Sequence, residues 1–269
     1  MRRLSNKEVQ SIQLNILKEI VEFCNENNLR FYLIYGSLLG AVRHNGFIPW
    51  DDDIDIAMSR PDYEKFLHTF NVSHKQYKVE SFRINKYVPY FYAKVQDINT
   101  LVVPRSNHGH QIGVSVDVFP IDGASSNSII QWIHFRLFEV IRLLYNFKIK
   151  VFKKEKSLGR NLLLSLGKLF AFWIPFGLLV RVLDSINRLY SFEKSEYVTV
   201  CASTDKRISY DKKEFEKVVF IEFEGIPMPC PVGYDLLLKS MYKDYMKLPE
   251  PNKRVSHHQI EAFELESNV

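Results

Sequence analysis

Aspartate residues crowd one short stretch of the chain, which reads Pro-Trp-Asp-Asp-Asp-Ile-Asp-Ile from Pro49 onward. Asp53 and Asp55 alternate with isoleucines, so on a β-strand both carboxylates would project from one face while the isoleucines enter a core. Carboxylates this close raise each other's pKa unless a cation compensates. Hard divalent ions prefer oxygen ligands, so the stretch predicts a site for Mg²⁺, with Mn²⁺ as the second choice. Asp51 and Asp52 precede the strand, where a turn cap and a supporting metal contact are both open.

A two-metal site of the common kind needs a further acid. Asp117 is the best candidate, because it is a single acid between β-branched residues in Gly-Val-Ser-Val-Asp-Val-Phe, which is typical of a strand. We therefore predict that Asp117 lies beside Asp53 and Asp55; the alternative is that it caps a turn. Asp122, in Pro-Ile-Asp-Gly, is predicted to be such a cap.

A Gly-Ser pair follows the apolar run RFYLIY, which is predicted to be a buried strand over residues 30–35. Gly36 and Ser37 are predicted to form the turn into a short helix over residues 38–43. The first N–H groups of a helix have no partner within the helix, so this turn is predicted to seat a phosphate.

Two basic residues are candidates for binding phosphate oxygens. Arg43 comes at the end of the short helix that follows the Gly-Ser turn, and Lys94 lies on a strand predicted to flank the acids. An ordinary surface charge is the alternative for each. Trp50 and Tyr35 are aromatic candidates for stacking on a base or enclosing a quaternary ammonium.

The elements that must position these residues alternate between helical and strand-like patterns, so the fold class is predicted to be α/β (α+β), with a mixed sheet flanked by helices. Ser5 and Glu8 have the spacing of a capping box at the start of the first helix. The predicted helices cover residues 5–27, a helix opening at Pro61, a long helical stretch over 129–189 and 234–246, and the further strands cover 53–58, 77–82, 90–95, 113–118 and 218–223.

A change of period near residue 125 suggests three parts. Residues 1–125 are predicted to be the catalytic core, residues 126–215 a helical, basic and apolar subdomain, and residues 216–269 a closing strand and helix packed on the core. With 269 residues and 46% hydrophobic content the chain can bury a large core, which excludes a disordered protein.

Cysteine usage and the amino terminus predict a cytoplasmic location. Cys24, Cys201 and Cys230 lie far apart without metal-ligand spacing, so neither a disulfide framework nor a zinc site is indicated. The first residues are too polar for the apolar centre of a signal peptide.

Basic residues dominate the middle of the chain, and an apolar stretch over residues 161–183 follows. Lys168 and Pro175 interrupt that stretch, which disfavours a spanning helix. Two possibilities remain: peripheral contact with the anionic inner face of the plasma membrane, or a hairpin whose apolar faces bury each other. The basic residues are Arg136, Arg142, Lys148, Lys150, Lys153, Lys154, Lys156, Arg160 and Lys168, against Glu139 and Glu155.

The string GSLLGAVRHNGFIPWDDDIDI, residues 36–56, resembles the LicD family of phosphocholine transferases, which is related to fukutin-related protein and has the nucleotidyltransferase fold. The resemblance extends to AKVQDINT at 93–100, VDVFPIDG at 116–123 and the segment 242–258. Lys243 stands where the family often has glycine, which puts the local turn in question.

This resemblance implies a metal-dependent transfer of phosphocholine, or a similar phospho-alcohol, from CDP-choline or a related CDP-alcohol to a glycan hydroxyl. The acceptor would be a cell-surface glycan, such as lipopolysaccharide or teichoic acid, or its lipid-linked precursor. It also implies that Asp53, Asp55 and Asp117 bind the metal. The residues implied to bind the CDP-linked donor are Gly36, Ser37, Arg43 and Lys94.

Two alternatives stay open. A nucleotidyltransferase could move NMP from an NTP to a small molecule and would release pyrophosphate. A non-catalytic protein could bind a membrane surface through the basic residues. Nucleic acid is not an expected partner, because the basic stretch lacks the interleaved aromatic residues of a single-strand track.

Overall fold

A computed structural model describes residues 1–103, 110–149, 158–200, 207–254 and 261–265. Outside the described residues lie Cys201, four lysines of the predicted basic stretch (150, 153, 154 and 156), the side chain of Arg160 and the end of the segment 242–258. Within the described ranges the helices are α1 (Asn6–Glu26), α2 (Tyr35–His44), α3 (Arg60–Ser73), α4 (Ser128–Ile149), α5 (Leu158–Ala171), α6 (Phe176–Asn187) and α7 (Tyr234–Tyr242). The strands are β1 (Arg2–Arg3), β2 (Phe31–Leu33), β3 (Asp55–Ser59), β4 (Tyr77–Glu80), β5 (Ala93–Asp97), β6 (Thr100–Val102), β7 (Ser115–Ala124), β8 (Tyr197–Val200), β9 (Ser209–Asp211), β10 (Val218–Phe223), β11 (Ile226–Pro231) and β12 (Ala262–Glu264).

The main sheet is mixed, as the sequence predicted, and the α/β (α+β) class is confirmed. Its strands follow the order β2-β3-β7-β5-β4, and β8 pairs with both β7 and β9. The β3–β7 pair is parallel, whereas the other pairs in this sheet are antiparallel. β7 is the longest strand and pairs with β3, β5 and β8, so it lies at the centre of the sheet.

The first helix confirms the prediction from the capping box. The Ser5 side chain accepts a hydrogen bond from the Glu8 N–H at 3.4 Å, and the Glu8 carboxylate accepts one from the Ser5 N–H at 2.8 Å. The apolar residues of α1 then pack with those of α3 against one face of the sheet. This is the larger core, and Ile54 and Ile56, which have no exposed side-chain surface, belong to it.

Two boundaries differ from the prediction where the chain enters the site. β2 ends at Leu33 and α2 already begins at Tyr35, which has a φ of +50°, so Gly36 and Ser37 lie in the first helical turn rather than before the helix. β3 begins at Asp55, so Asp53 precedes the strand. The reason is that, in the described part of the chain, the parallel pairing with β7 starts at Asp55 and the antiparallel pairing with β2 at Ile56.

Within the described residues, the predicted helical stretch over 129–189 is confirmed as α4, α5 and α6; residues 150–157 of the prediction lie outside them. α4 and α6 share a small core, in which Phe138 and Leu183 are buried and to which Phe91, before β5, contributes. β8 and β9 follow and extend the main sheet. The boundaries of the three predicted parts stay a prediction.

The prediction that Asp122 caps a turn is wrong, because β7 continues through Ala124. The buried Asp122 carboxylate instead accepts hydrogen bonds from Arg60 Nε at 2.7 Å and Nη2 at 2.6 Å. Asp184 of α6 lies 3.7 Å from Arg60 Nη1 and 3.3 Å from Arg83 Nη1. The network therefore joins α3, β7 and the helical region.

The carboxyl-terminal part confirms the strand predicted at 218–223, which forms a hairpin with β11. The final helix, predicted to reach residue 246, ends at Tyr242. Lys243 stops it, because its backbone has φ +60° and ψ −114°, a conformation that favours glycine.

None of the helices in the described part of the chain has both the length and the apolar content to cross a membrane alone. The pair Leu164–Ala171 and Phe176–Asn187 passes such a test together, but it is bent by 91°.

Candidate active site

Acids from two distant segments meet on the face of the sheet opposite α1 and α3. The register of the parallel pair β3–β7 places Asp55 opposite Asp117. On the other side of β7, the register with β5 places Lys94 opposite Asp117. Neighbouring strands lie about 4.8 Å apart. The sheet therefore brings together one acid of each predicted segment and the basic residue predicted to flank them.

The remaining acids lie in the segment that leads into β3. One carboxylate oxygen each from Asp51, Asp52 and Asp53 lies within 4.8 Å of the other two. The charges of Asp51 and Asp53 also act on Asp55, so these acids and the pair on the sheet form one group.

Two glutamines of α1 hold this acidic segment, and sequence reasoning missed them. Gln10 Nε2 donates to the Asp51 carbonyl at 2.9 Å. Gln13 Nε2 donates to the Asp52 carbonyl at 3.0 Å and to the Ser115 carbonyl at 3.2 Å. A signal for Gln13 was present, because it is a polar residue on the buried face of an amphipathic helix. These bonds fix the acidic segment to the start of β7.

Gly36 and Ser37 support the acids directly. Ser37 is buried, and its Oγ accepts a hydrogen bond from the Asp55 N–H at 2.8 Å. A Cβ atom on Gly36 would lie 2.7 Å from Asp51 Oδ2, closer than ordinary van der Waals contact. Glycine at this position therefore leaves the space that the Asp51 carboxylate occupies.

The acids are under strong mutual repulsion. Burial, followed by the charge of Asp53 and a hydrogen bond with it, raises the pKa of Asp51 to about 7. Burial and the charges of Asp53, Asp117 and Asp51 raise the pKa of Asp55 well above its usual value, and Lys94 opposes this rise only in part.

Lys94 is not a surface charge. Its ammonium forms an ion pair with the Asp117 carboxylate and lies 5.2 Å and 5.4 Å from the ring centroids of Tyr90 and Tyr92. Burial lowers the pKa of Lys94, but Asp117 outweighs burial with help from Tyr90 and Asp53, so the net pKa is raised. Lys94 is therefore charged and oriented at neutral pH.

Arg43 lies at the other end of α2, against the carboxyl-terminal segment. Its Nη1 donates to the Tyr245 carbonyl at 2.8 Å and its Nε to His44 Nε2 at 2.9 Å. Burial and the neighbouring Arg254 lower the pKa of Arg43, whereas Tyr242 raises it. Two cationic groups therefore stand close together beside Tyr242.

Tyr242 connects this basic pair with the acids, and sequence reasoning missed both Tyr242 and Arg254. Burial and the charges of Asp55, Asp51 and Asp53 raise the pKa of the Tyr242 hydroxyl, and Arg43 opposes the rise. The Tyr242 side chain is nevertheless 40% exposed, so the space around it is open to solvent.

The two aromatic candidates have different surroundings. The Arg254 guanidinium lies 5.9 Å from the centroid of the Trp50 ring, so Trp50 borders the basic pair. Tyr35 is buried and contacts Phe119 edge to face, which makes it part of the core.

The group of acids fits a divalent cation. Asp51, Asp52, Asp53, Asp55 and Asp117 supply carboxylate oxygens, and Lys94 neutralises part of their charge. Asp55 is buried among like charges, a costly arrangement that a hard cation with oxygen ligands would stabilise.

A β3–β7 pair that carries acids beside the start of a helix is the arrangement of a nucleotidyltransferase-type domain. Sequence similarity to known proteins leads to the same class. The family model described as LicD/FKTN/FKRP, nucleotidyltransferase domain, matches residues 28–140, which include every acid of the site. Over 98% of its length the chain is 30% identical to the lipopolysaccharide cholinephosphotransferase LicD of Haemophilus influenzae, and it covers 99% of that protein. The chain therefore belongs to the LicD family, as the resemblance predicted.

A shorter match has no named function. An uncharacterized protein of Rickettsia prowazekii is 42% identical over 60 residues, which are 22% of each chain. A protein of Rickettsia typhi matches over the same length with the same identity.

Proposed function

We propose that this protein is a phosphotransferase that moves phosphocholine from CDP-choline to a hydroxyl of lipopolysaccharide or a lipid-linked precursor of it, at the cytoplasmic side of the membrane. One observation carries the proposal: acids from β3 and β7 converge in a chain related over its whole length to a lipopolysaccharide cholinephosphotransferase. In the reaction, the acceptor oxygen forms a bond to the phosphorus of phosphocholine. The bond from that phosphorus to the CMP oxygen breaks and CMP leaves, while the hydroxyl proton passes to the Asp117 carboxylate or to water.

Asp53, Asp55 and Asp117 would hold Mg²⁺ or Mn²⁺, with Asp51 next to Asp53. A bound divalent ion would neutralise the phosphate oxygens, which is the main requirement of phosphoryl transfer. Lys94 orients Asp117 through their ion pair. Ser37 and Gln13 hold the backbone of the acids, so the carboxylates are positioned before substrate arrives.

Arg43 and Arg254 supply positive charge next to the acids, and we assign them to the diphosphate of the donor. The exposed face of Tyr242 and the ring of Trp50 border the same space. An aromatic ring there can stack on a base or on a quaternary ammonium. Arginine is suited to phosphate because its planar fork can donate two parallel hydrogen bonds.

The test uses purified protein, Mg²⁺ and lipopolysaccharide that lacks phosphocholine. CDP-choline, CDP-glycerol and CDP-ribitol are supplied in separate reactions, and CMP release and label transfer to the glycan are measured. We expect CMP and labelled glycan with CDP-choline, and loss of both with EDTA. Another CDP-alcohol as the preferred donor would overturn the donor assignment. Pyrophosphate released from an NTP, without CMP from any CDP-alcohol, would favour the nucleotidyltransferase alternative.

Site variants separate the chemistry from folding. Asp53→Asn removes charge but little volume, so it should lower the transfer rate by about 100-fold or more while the unfolding temperature stays near that of the wild type. Glu222→Gln makes the same change at an exposed position on β10 and should leave the rate unchanged. Wild-type turnover in Asp53→Asn would refute the assignment of the acids.

A further inference from the structure

The helical region exposes large apolar side chains to solvent. Their exposed fractions range from 57% for Leu166 to 81% for Trp173. Isolated exposed apolar residues are common, but a contiguous group of this size usually marks an interaction site. We call these residues the apolar face: Leu162, Leu166, Leu169, Phe170, Phe172 and Trp173.

The apolar face consists of one side of α5, its last turn and the turn that follows it. Leu162, Leu166 and Leu169 follow one another at intervals of four and three, so they line one stripe of α5. Phe172 and Trp173 follow in the turn after Ala171. The opposite side of α5 packs on α4: a Cβ atom on Gly167 would lie 2.5 Å from the ring of Phe147. The side of α5 that can be buried within the fold is therefore already used.

α4 also exposes apolar side chains. Trp132, Ile133 and Val140 are 60%, 54% and 57% exposed, although their helix packs on the core through Phe138 and Tyr145. The prediction of a hairpin whose apolar faces bury each other therefore holds only for the inner sides of α4, α5 and α6. Their outer sides lack a protein partner within the described residues.

The charges around the apolar face are of one sign. Lys148, Lys168 and Arg181 accompany it in the described part of the chain, and the sequence contains no acid between Lys156 and Leu183. The acid of α4, Glu139, is paired with Arg136 at 2.7 Å. Apolar residues with a basic surround and almost no acids match an anionic lipid surface.

We propose that the apolar face and the adjoining outer side of α4 dock this protein on an anionic lipid bilayer, with the helices lying in the plane of the interface. The length of α5 supports an in-plane position, because 14 residues span about 21 Å whereas a bilayer core is about 30 Å thick. The 91° bend between α5 and α6 turns the chain away from a crossing path. Trp173 and Phe172 lie at that bend, where interfacial aromatic residues are favoured.

The docked helices contact the chain segment next to the site. The Tyr145 hydroxyl of α4 donates to the Pro89 carbonyl at 3.0 Å, and Phe91 packs on Phe138 and Tyr145. Tyr92, the next residue, lies against Lys94. Docking would therefore bring the acids near lipid, where a lipid-linked acceptor is found. That consequence rests on the proposed function, but the docking itself does not.

The docking is tested with the full chain and vesicles, without substrates. We expect co-sedimentation with vesicles of phosphatidylcholine and phosphatidylglycerol at a ratio of about 7:3. The affinity for vesicles of phosphatidylcholine alone should be lower by about tenfold or more. Leu166→Gln, Leu169→Gln and Trp173→Gln, combined, should weaken binding at least about 100-fold because three apolar insertions are lost. The control combines Val72→Gln and Phe220→Gln, two apolar residues that are 86% and 69% exposed elsewhere, and should bind like the wild type.

A second measurement does not depend on a multiple variant. Brominated lipid should quench the fluorescence of the wild-type protein on anionic vesicles. Trp173→Phe should lose part of that quenching, because Trp132 of the docked surface contributes the rest. Vesicle binding that the triple variant keeps, or no binding by the wild type, would overturn the proposal. Self-association in the absence of lipid that the triple variant abolishes, with no vesicle binding, would identify a second copy as the occupant instead. CMP release with a water-soluble acceptor is scored separately, so failure of docking and failure of the proposed function are distinguishable.

Discussion

Gly36→Ala should separate the geometry of the site from the stability of the fold. The added Cβ would lie 2.7 Å from Asp51 Oδ2, whereas ordinary contact begins at 3.4 Å, so the carboxylate must move by about 0.7 Å. Asp51 is a side chain and can move without disturbing the backbone. Gly36 has an ordinary helical φ, and alanine favours a helix by up to about 1 kcal/mol over glycine. We therefore expect the unfolding temperature to change by less than about 4 °C.

Activity should respond much more than stability. A misplacement of about 1 Å can cost about 100-fold in rate, so a shift of this size should reduce transfer about 10- to 100-fold. The assay is the initial rate of CMP release from CDP-choline, with unfolding followed by circular dichroism on the same samples. Gly177→Ala is the matched control, because a Cβ on this helical glycine meets nothing within 4 Å. A Gly36→Ala rate within twofold of the wild-type rate would refute the reasoning that glycine is needed for the position of Asp51.

Three further predictions follow from contacts and charges. Since the folded protein raises the pKa of Asp51 to about 7, a proton competes with Mg²⁺ below that pH. Calorimetric titration should therefore show roughly tenfold weaker binding of Mg²⁺ at pH 6 than at pH 8, and equal affinities would contradict this. Asp122→Asn leaves the buried Arg60 without its main partner and should lower the free energy of unfolding in urea by about 3 kcal/mol. An unchanged unfolding midpoint would show that Asp184 alone suffices to pair with Arg60. Lys243→Gly relieves a φ of +60° and should raise the free energy of unfolding by about 1 kcal/mol; a lower value would mean that Lys243 contributes contacts that outweigh the strain.

The sequence was informative where a local pattern sufficed. Alternation with isoleucines placed Asp55 on a strand, and the same pattern placed Asp117, so the two acids that face each other could be anticipated. Alternation does not reveal where pairing stops, and this is why Asp53 was assigned to a strand that begins only at Asp55. The helix that contains Gly36 and Ser37 was predicted to begin at residue 38 rather than at Tyr35, because no local sequence pattern signals a φ of +50° at a tyrosine.

The parts of the site that sequence reasoning missed depend on distant contacts. The ion pair of Lys94 with Asp117 follows from strand register, which neither segment shows by itself. Arg254 approaches Arg43 from a segment more than 200 positions away. The strands β1, β12 and β6, which form a separate three-stranded sheet, are too short, at two or three residues, to show any alternation.

A single strand, β7, carries Asp117 to the acids and Asp122 to the network that includes Asp184 of α6. The two aspartates are five positions apart, which is about 17 Å of extended backbone. If the helical region rests on lipid, this paired strand holds the acids at a fixed distance from the docked helices. The distance that an acceptor sugar must span from its lipid to the acids would then be fixed as well. The rate of transfer to glycans of graded length on vesicles should therefore depend on glycan length, and equal rates at every length would contradict a fixed distance.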